Sequence, residues 1–157
     1  MMRILPALLL AATPAAARDT IGIYKSWGAF RDADPARCYA IARPLVAGGS
    51  PHGFASVATW PARGLRGSIH VRLSRERDRS APVTLTVGER RFTLVANGLD
   101  AWATDTPSDR AIVGALRSGR SMSIEAVGLG GRPFADVYAL PGAATAIDAA
   151  ALACAAR

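Results

Sequence analysis

The sequence contains little of what usually identifies a function. Of its 157 residues only two are cysteine, two are histidine and 6% are aromatic. The two cysteines (Cys38, Cys154) and the two histidines (His52, His70) lack the spacing of metal ligands, which argues against a metal site. The motifs Gly-x-Ser-x-Gly, Ser-x-x-Lys, His-Glu-x-x-His and the Walker loop are also missing. We therefore expect no metal, no cofactor and no catalytic residues of a familiar class.

The sequence also lacks a long apolar run. A helix needs roughly 20 apolar residues to cross a bilayer, so we expect no transmembrane segment. The chain instead begins with the three parts of a secretory signal, which are a basic start ending at Arg3, an apolar run over residues 4–12 and small residues at 15–17. We predict cleavage after Ala17. Residues 18–157 would then form a single β-rich domain that is periplasmic or secreted.

Lysine is nearly absent, although the chain is basic. Only Lys25 is lysine among 19 basic residues, and the formal net charge is +7. A positive chain favours anionic polymers or surfaces. The densest group of arginines is Arg72, Arg75, Arg77 and Arg79. This group is a charged, solvated strand end and turn by default, and alternatively a candidate anion-binding patch for lipid A phosphate, an acidic glycan or nucleic acid.

The two cysteines predict a disulfide, because exported proteins fold in oxidising compartments. A Cys38–Cys154 bond would tie the end of the chain to its first strands. Free thiols and an intermolecular bond remain alternatives. A redox-active pair is disfavoured, because such cysteines are usually close together in sequence.

Short alternating segments dominate the rest of the chain. Ser68–Ser74 and Pro82–Val87 alternate apolar and polar side chains, which is typical of half-buried strands. Gly88-Glu89 and Asn97-Gly98 have the composition of hairpin turns. We expect eight or nine strands, the first of them running unbroken over Thr20–Phe30.

Two helices complete the prediction. The first is capped by Thr106 or Ser108, buries Ile112, Val113 and Leu116, and ends at Gly119. The second is the alanine-rich stretch 143–155, which carries Cys154. Strand spacing of this kind indicates a mainly β, single-domain antiparallel β-sandwich or open barrel with two short helices, the second C-terminal and disulfide-tied.

Two weak functional patterns remain. Ser50 and His52 lie in a glycine-rich loop and would be the nucleophile and base of a hydrolase-type enzyme, if a third group oriented the imidazole. The simpler interpretation is loop polarity. Trp27, Trp60 and Trp102 would suit a sugar-stacking platform, although tryptophans are more often core or half-buried sheet residues.

The pattern as a whole resembles the invasion-associated locus B family of exported bacterial proteins. The residues that carry the resemblance are Trp27-Gly28-Ala29-Phe30-Arg31-Asp32, Cys38-Tyr39-Ala40-Ile41-Ala42, Pro44, Gly119-Arg120-Ser121-Met122, Tyr138-Ala139-Leu140-Pro141-Gly142, Ala146, Ile147 and Cys154. The larger members carry a further cysteine pair in the middle of the domain, which this chain lacks. The resemblance implies a periplasmic or surface-exposed β-sandwich-like domain and no established catalytic residues.

These observations favour an exported, non-enzymatic binding module of the bacterial envelope. Its expected partner is a protein or an anionic envelope component, and specific binding to nucleic acid is not expected. Two alternatives stay open, namely a periplasmic hydrolase near Ser50 and His52 and a structural or stress-related envelope protein that binds an anionic polymer.

Overall fold

The computed structural model describes residues 18–49 and 52–155, and the predicted signal segment lies outside them. The chain forms ten strands, two α-helices and one short 3-10 turn over Pro61–Arg63. The elements are β1 (Arg18–Tyr24), β2 (Trp27–Asp32), β3 (Arg37–Ala42), β4 (Phe54–Trp60), β5 (Leu65–Arg72), β6 (Val83–Val87), β7 (Arg90–Asn97), β8 (Asp100–Trp102), α1 (Thr106–Ser118), β9 (Ser121–Val127), β10 (Pro133–Ala139) and α2 (Ala143–Ala155).

All ten strands belong to one antiparallel sheet in the order β1-β2-β3-β4-β5-β8-β7-β6-β9-β10. The sheet is not closed, although the segment after β3 reaches the last strand, where the Leu45 amide donates to the Val137 carbonyl at 2.7 Å. The predicted mainly β, open architecture with two helices is confirmed. The hairpin signals are also confirmed, since Gly88 and Gly98 occupy left-handed turns between β6, β7 and β8.

The prediction of one strand over Thr20–Phe30 was wrong. The chain turns at Lys25-Ser26, and β1 pairs with β2 as a hairpin, so that Tyr24 lies opposite Trp27. Lys25 takes the left-handed conformation with φ of 55°. The turn contains none of the glycine, proline, asparagine or aspartate residues that usually announce one, and for that reason the predicted number of strands was too low.

The first helix was placed correctly, but its cap was not. Asp105 is the N-cap of α1, and its carboxylate accepts a hydrogen bond from the Ser108 amide at 2.7 Å. Aspartate satisfies the free amides at a helix start and also favours the positive end of the helix dipole. Ile112 and Leu116 are buried as predicted, whereas Val113 is only partly buried.

Both helices pack on the same face of the sheet, which we call the helix face. α2 contacts β1 to β4, and α1 contacts β5. Alternation then places Cys38 and Ala40 of β3 on the helix face and Tyr39 on the opposite face, which we call the outer face. The core lies between the helix face and the two helices. α2 contributes small side chains to it, including Ala143, Ala146 and Ala150.

The predicted disulfide is present. Cys38 in β3 is bonded to Cys154 in the last turn of α2, with the two Cα atoms 5.8 Å apart. The bond spans a sequence separation of 116 residues. It therefore fixes the C-terminal helix on the first strands, as the sequence predicted.

Candidate functional site

The hydrolase pairing of Ser50 with His52 stays a prediction, because the structure describes only one of the two residues. Ser50 lies outside the described residues, and His52 is exposed. His70 lies on the outer face, where its Nε2 is 2.9 Å from Asp100 and its ring stacks on Trp102 with centroids 5.4 Å apart. The hydroxyl of Ser56 donates to the backbone carbonyl of His70 and not to the imidazole. This environment fixes the His70 ring as part of an outer-face cluster.

The four arginines of the predicted anion patch have different environments. Arg72 is paired with Asp100 at 2.9 Å, and the Arg75 guanidinium lies 5.5 Å from the centroid of Phe134. The Arg77 guanidinium is half-buried and donates to three backbone carbonyls, whereas Arg79 is exposed. Arg77 therefore stabilises the connection between β5 and β6. Anion binding at this group stays a prediction, and Arg75 and Arg79 are its most exposed members.

The three tryptophans occupy three separate places. Trp27 is fully buried in the core, and Trp102 lies on the outer face beside His70. Trp60 lies at the end of β4, where Arg37 and Arg63 stack on its ring at 5.1 and 5.0 Å. A joint sugar platform made by all three is therefore wrong.

A groove of about 860 Å³ opens between the two helices and the ends of β4 and β5. It has three walls: one face of α1, the last two turns of α2, and the β4–β5 connection. Apolar side chains from all three walls line it, namely Val57, Leu65, Val113, Ile147 and Leu152. Leu65 and Leu152 are 38% and 70% exposed. Volumes of roughly 300–1,000 Å³ and apolar linings are typical of small-molecule sites.

Small residues keep the groove open. Ala150 and Ala151 line the α2 wall, and Gly67 lines the β5 wall. Gly114 lies in the middle of α1, and a Cβ added there would meet no atom within 4 Å. Glycine in a helix interior costs about 1 kcal/mol relative to alanine. No packing contact of Gly114 offsets this cost, and the space beside it belongs to the groove.

The charges at the groove are mostly positive. Arg66 and Arg110 line it, are exposed, and form no ion pair within the part of the chain that the structure describes. Arg117 binds Asp148 of α2 through two hydrogen bonds of 3.1 and 2.5 Å. The hydrogen bond from Arg117 lowers the pKa of Asp148, although desolvation opposes this effect. Two guanidinium groups are thus left available for an anionic ligand.

The disulfide forms part of the same site. Cys154 lines the groove and is partly buried, and its bond to Cys38 attaches the α2 wall to the sheet. The Arg117–Asp148 pair links the same helix to α1. The walls are therefore held in place without a ligand, as in most small-molecule sites.

Sequence reasoning missed this groove, although part of its signal was present. Arg110, Val113, Gly114 and Arg117 have the spacing i, i+3, i+4, i+7, so they share one face of α1. The sequence analysis instead places Val113 in the buried stripe of α1 together with Ile112 and Leu116. The mixture of arginine, valine and glycine on one helix face was the available sign of a lined cavity.

The buried carboxylate of Asp136 has a structural role. It accepts hydrogen bonds from the amides of Gly48 and Ser74, both at 2.9 Å, and from the Ser74 hydroxyl. It therefore holds the segments after β3 and β5 against β10.

In residues 18–49 and 52–155, no three histidine, cysteine or acidic side chains are grouped as metal ligands, and no helix has the length and hydrophobicity to span a bilayer.

Comparison with known proteins gives a likeness of fold. No protein-family model and no curated protein sequence matches this chain. The chain is structurally similar to the invasion associated protein b of Bartonella henselae, with a TM-score of 0.64 and 19% sequence identity. The match covers 88% of this chain and 99% of that one. At this identity the comparison shows a shared fold over nearly the whole domain.

Proposed function

We propose that this protein is an exported, non-enzymatic binding module of the bacterial envelope and that it binds its ligand in the groove between α1, α2 and the β4–β5 connection. The observation that carries the proposal is a groove held open by its own walls, with an apolar lining and the guanidinium groups of Arg66 and Arg110, which no described carboxylate pairs. We also propose that the chain is a short, divergent relative of the invasion-associated locus B family.

Three observations support an envelope location. The N-terminal sequence has the order of a secretory signal. The Cys38–Cys154 bond is typical of an oxidising compartment, because thiols are kept reduced in the cytosol. The fold is shared with invasion associated protein b of Bartonella henselae.

The groove side chains favour binding over catalysis. Arginine stays protonated in proteins, so it serves as an anion ligand and not as a proton-transfer group. Among the described residues, Asp148 is the one carboxylate that lines the groove, and it is already held by Arg117. The apolar residues around them supply surface that a ligand can bury.

Site-specific photo-crosslinking in the envelope tests this proposal, because it captures a ligand whose identity is still unknown. The full chain would be produced in a bacterial host with a photoreactive amino acid at Val113 or Leu152, both in the groove. Val95 is the matched control, because it is 55% exposed on the outer face. After irradiation of whole cells, adducts would be identified by mass spectrometry.

We expect adducts at Val113 and Leu152 and none of the same mass at Val95. The purified protein should come from the periplasmic fraction or the medium with Arg18 as its first residue. Binding in the groove would be contradicted if the same adducts formed at Val113, Leu152 and Val95. It would also be contradicted if no adduct formed at Val113 or at Leu152. Recovery of the uncleaved chain from the cytoplasm would contradict export.

A further inference from the structure

We propose that the groove takes a single-chain amphiphile with an anionic head, of the fatty acid class. This inference rests on the groove being the binding site, as proposed above. It adds the chemistry of the ligand, which follows from the way apolar surface and charge are distributed over the walls.

The apolar part of the groove needs an apolar partner. Leu152 projects from α2 with 70% of its surface exposed, and Leu65 projects from the facing β5 wall with 38% exposed. Val113 and Ile147 also line the groove; Val113 is partly exposed, whereas Ile147 is buried. An alkyl chain placed between these walls would remove their apolar surface from water, which is the main source of affinity in such sites.

The charged part selects the head group. Within the described chain the groove is lined by three arginines and one aspartate, and that aspartate is neutralised by Arg117. The remaining guanidinium groups, Arg66 and Arg110, lie on different walls, β5 and α1. Guanidinium groups bind carboxylate and phosphate through two parallel hydrogen bonds. The charge of the groove therefore favours an anionic head, whereas a cationic head would be repelled.

Gly114 provides the spatial argument. It lies between Arg110 and Arg117 on the face of α1 that borders the groove, and the position of its missing Cβ is open. A large side chain at this position would occupy the volume assigned to the alkyl chain. An alanine there would fill almost none of it and should favour the helix.

The binding experiment uses four probes below their micelle concentrations, measured by calorimetry with the purified disulfide-bonded protein. Laurate and dodecyl phosphate share a tail and differ in the anionic head, so they separate a fatty-acid source from a phosphate source. Dodecyltrimethylammonium has the same tail with a cationic head. Acetate has the head without the tail.

We expect laurate to bind and acetate not to bind. The cationic analogue should bind at least about tenfold more weakly, which corresponds to roughly 1.4 kcal/mol. Tighter binding of dodecyl phosphate than of laurate would overturn the fatty-acid assignment in favour of a phosphate head. Equal affinity for the cationic analogue would overturn recognition of the head.

Variants locate the site. Arg66→Gln with Arg110→Gln should weaken laurate by about tenfold or more, and Gly114→Trp should abolish its binding, while Gly114→Ala should retain it. If Gly114→Trp fails to fold, Leu152→Asp serves instead, because its side chain is exposed. The proposal would be overturned if laurate affinity were unchanged in the double arginine variant or in Gly114→Trp (or its substitute Leu152→Asp). It would also be overturned if Val95→Ser, on the outer face, lost as much laurate affinity as these variants.

The two proposals fail in different ways. Crosslinked adducts at Val113 and Leu152 together with no laurate binding would overturn the amphiphile and leave the groove as the binding site. Adducts made of a protein chain would point to a macromolecular partner and would likewise overturn the amphiphile. Specific laurate binding without any adduct in cells would contradict the proposed function.

Discussion

The indole N–H of Trp27 donates a hydrogen bond to the backbone carbonyl of Ala139 at 2.8 Å, across 112 residues of sequence. Trp27 begins β2, near one end of the strand order, and Ala139 ends β10 at the other. The bond therefore joins the two ends of an open sheet. It also satisfies the polar N–H group of a tryptophan that is fully buried.

Trp27→Phe should destabilise the protein by about 1–3 kcal/mol, because the hydrogen bond from the indole to the partly buried Ala139 carbonyl is lost and the smaller ring leaves space. Urea unfolding followed by circular dichroism measures the change. Trp102→Phe is the matched control, since Trp102 is 38% exposed. A loss at Trp27 no larger than at Trp102 would contradict the role assigned to the buried indole.

The disulfide should contribute strongly to stability. Cys38→Ser with Cys154→Ser releases a link across 116 residues, and the chain-entropy model gives about 4–5 kcal/mol for such a loop as an upper guide. The loss would be measured by urea unfolding, with reduced wild-type protein as the control for the substitutions themselves. Mass spectrometry after alkylation without reductant should find no free thiol; two alkylated thiols in protein taken from the periplasm would contradict the bond in the exported form.

The architecture was predictable where local signals agree with the fold. Strict alternation over Ser68–Ser74, the hairpin glycines and the two cysteines predicted strands, turns and the bond between β3 and α2. The Lys25-Ser26 turn was missed, because serine is a weak turn signal and the tight geometry is imposed mainly by the pairing of β1 with β2. Asp105 was missed because Ser108 is as good a cap type and Thr106 is also favourable, so that only the backbone distinguishes them.

The groove could not be derived from the sequence, because it depends on how α1 and α2 sit relative to β5. Gly67 and Gly114 are adjacent to the same space but are 47 positions apart in the numbering. The Arg117–Asp148 pair also depends on how α1 packs against α2, which no local sequence pattern predicts. Conversely, the sequence indicates that Arg77 is a surface charge, yet its guanidinium donates hydrogen bonds to three backbone carbonyls.

Arg77 and Arg79 should therefore behave differently when replaced. Arg77→Ser removes hydrogen bonds to the carbonyls of Asp78, Ala81 and Ala96, and a loss of about 2–4 kcal/mol is expected. Arg79→Ser should change stability by no more than about 0.5 kcal/mol, since Arg79 is exposed. Thermal and urea unfolding of the two variants measures this difference, and equal losses would contradict it.

The two exposed arginines, Arg75 and Arg79, give a test of the anion-patch prediction. Binding to heparin should fall in Arg75→Ser and Arg79→Ser and should weaken with rising salt if the patch is real. Arg77→Ser is excluded from this comparison, because its loss of stability would also lower binding. If the affinity for heparin changed neither with salt concentration nor with replacement of the two exposed arginines, this patch would no longer be a candidate site.

Asp32 should make stability depend on pH in the acid range. Its partial burial opposes ionisation, but hydrogen bonds from Arg37 and Arg18 outweigh it and lower the pKa of the carboxyl below its ordinary value. The folded state therefore binds the Asp32 proton more weakly than the unfolded state does. The resulting stability is fully present above the unfolded pKa of about 3.9 and is lost as pH falls through the lowered folded value.

Asp32→Asn should accordingly cost about 1–3 kcal/mol near pH 7, and the cost should shrink as pH falls from about 4 towards 2. The difference between the variant and wild type isolates Asp32 from Asp78 and Asp105, whose pKa values are also lowered by hydrogen bonds from Ser80 and Ser108. Asp19→Asn is the control, because its pair with Arg31 is exposed and such pairs contribute about 0–1 kcal/mol. Urea midpoints measured from pH 7 to pH 2 give the comparison. A difference for Asp32→Asn that stays constant over that range would mean that the carboxylate charge is not what stabilises the junction of β1, β2 and β3.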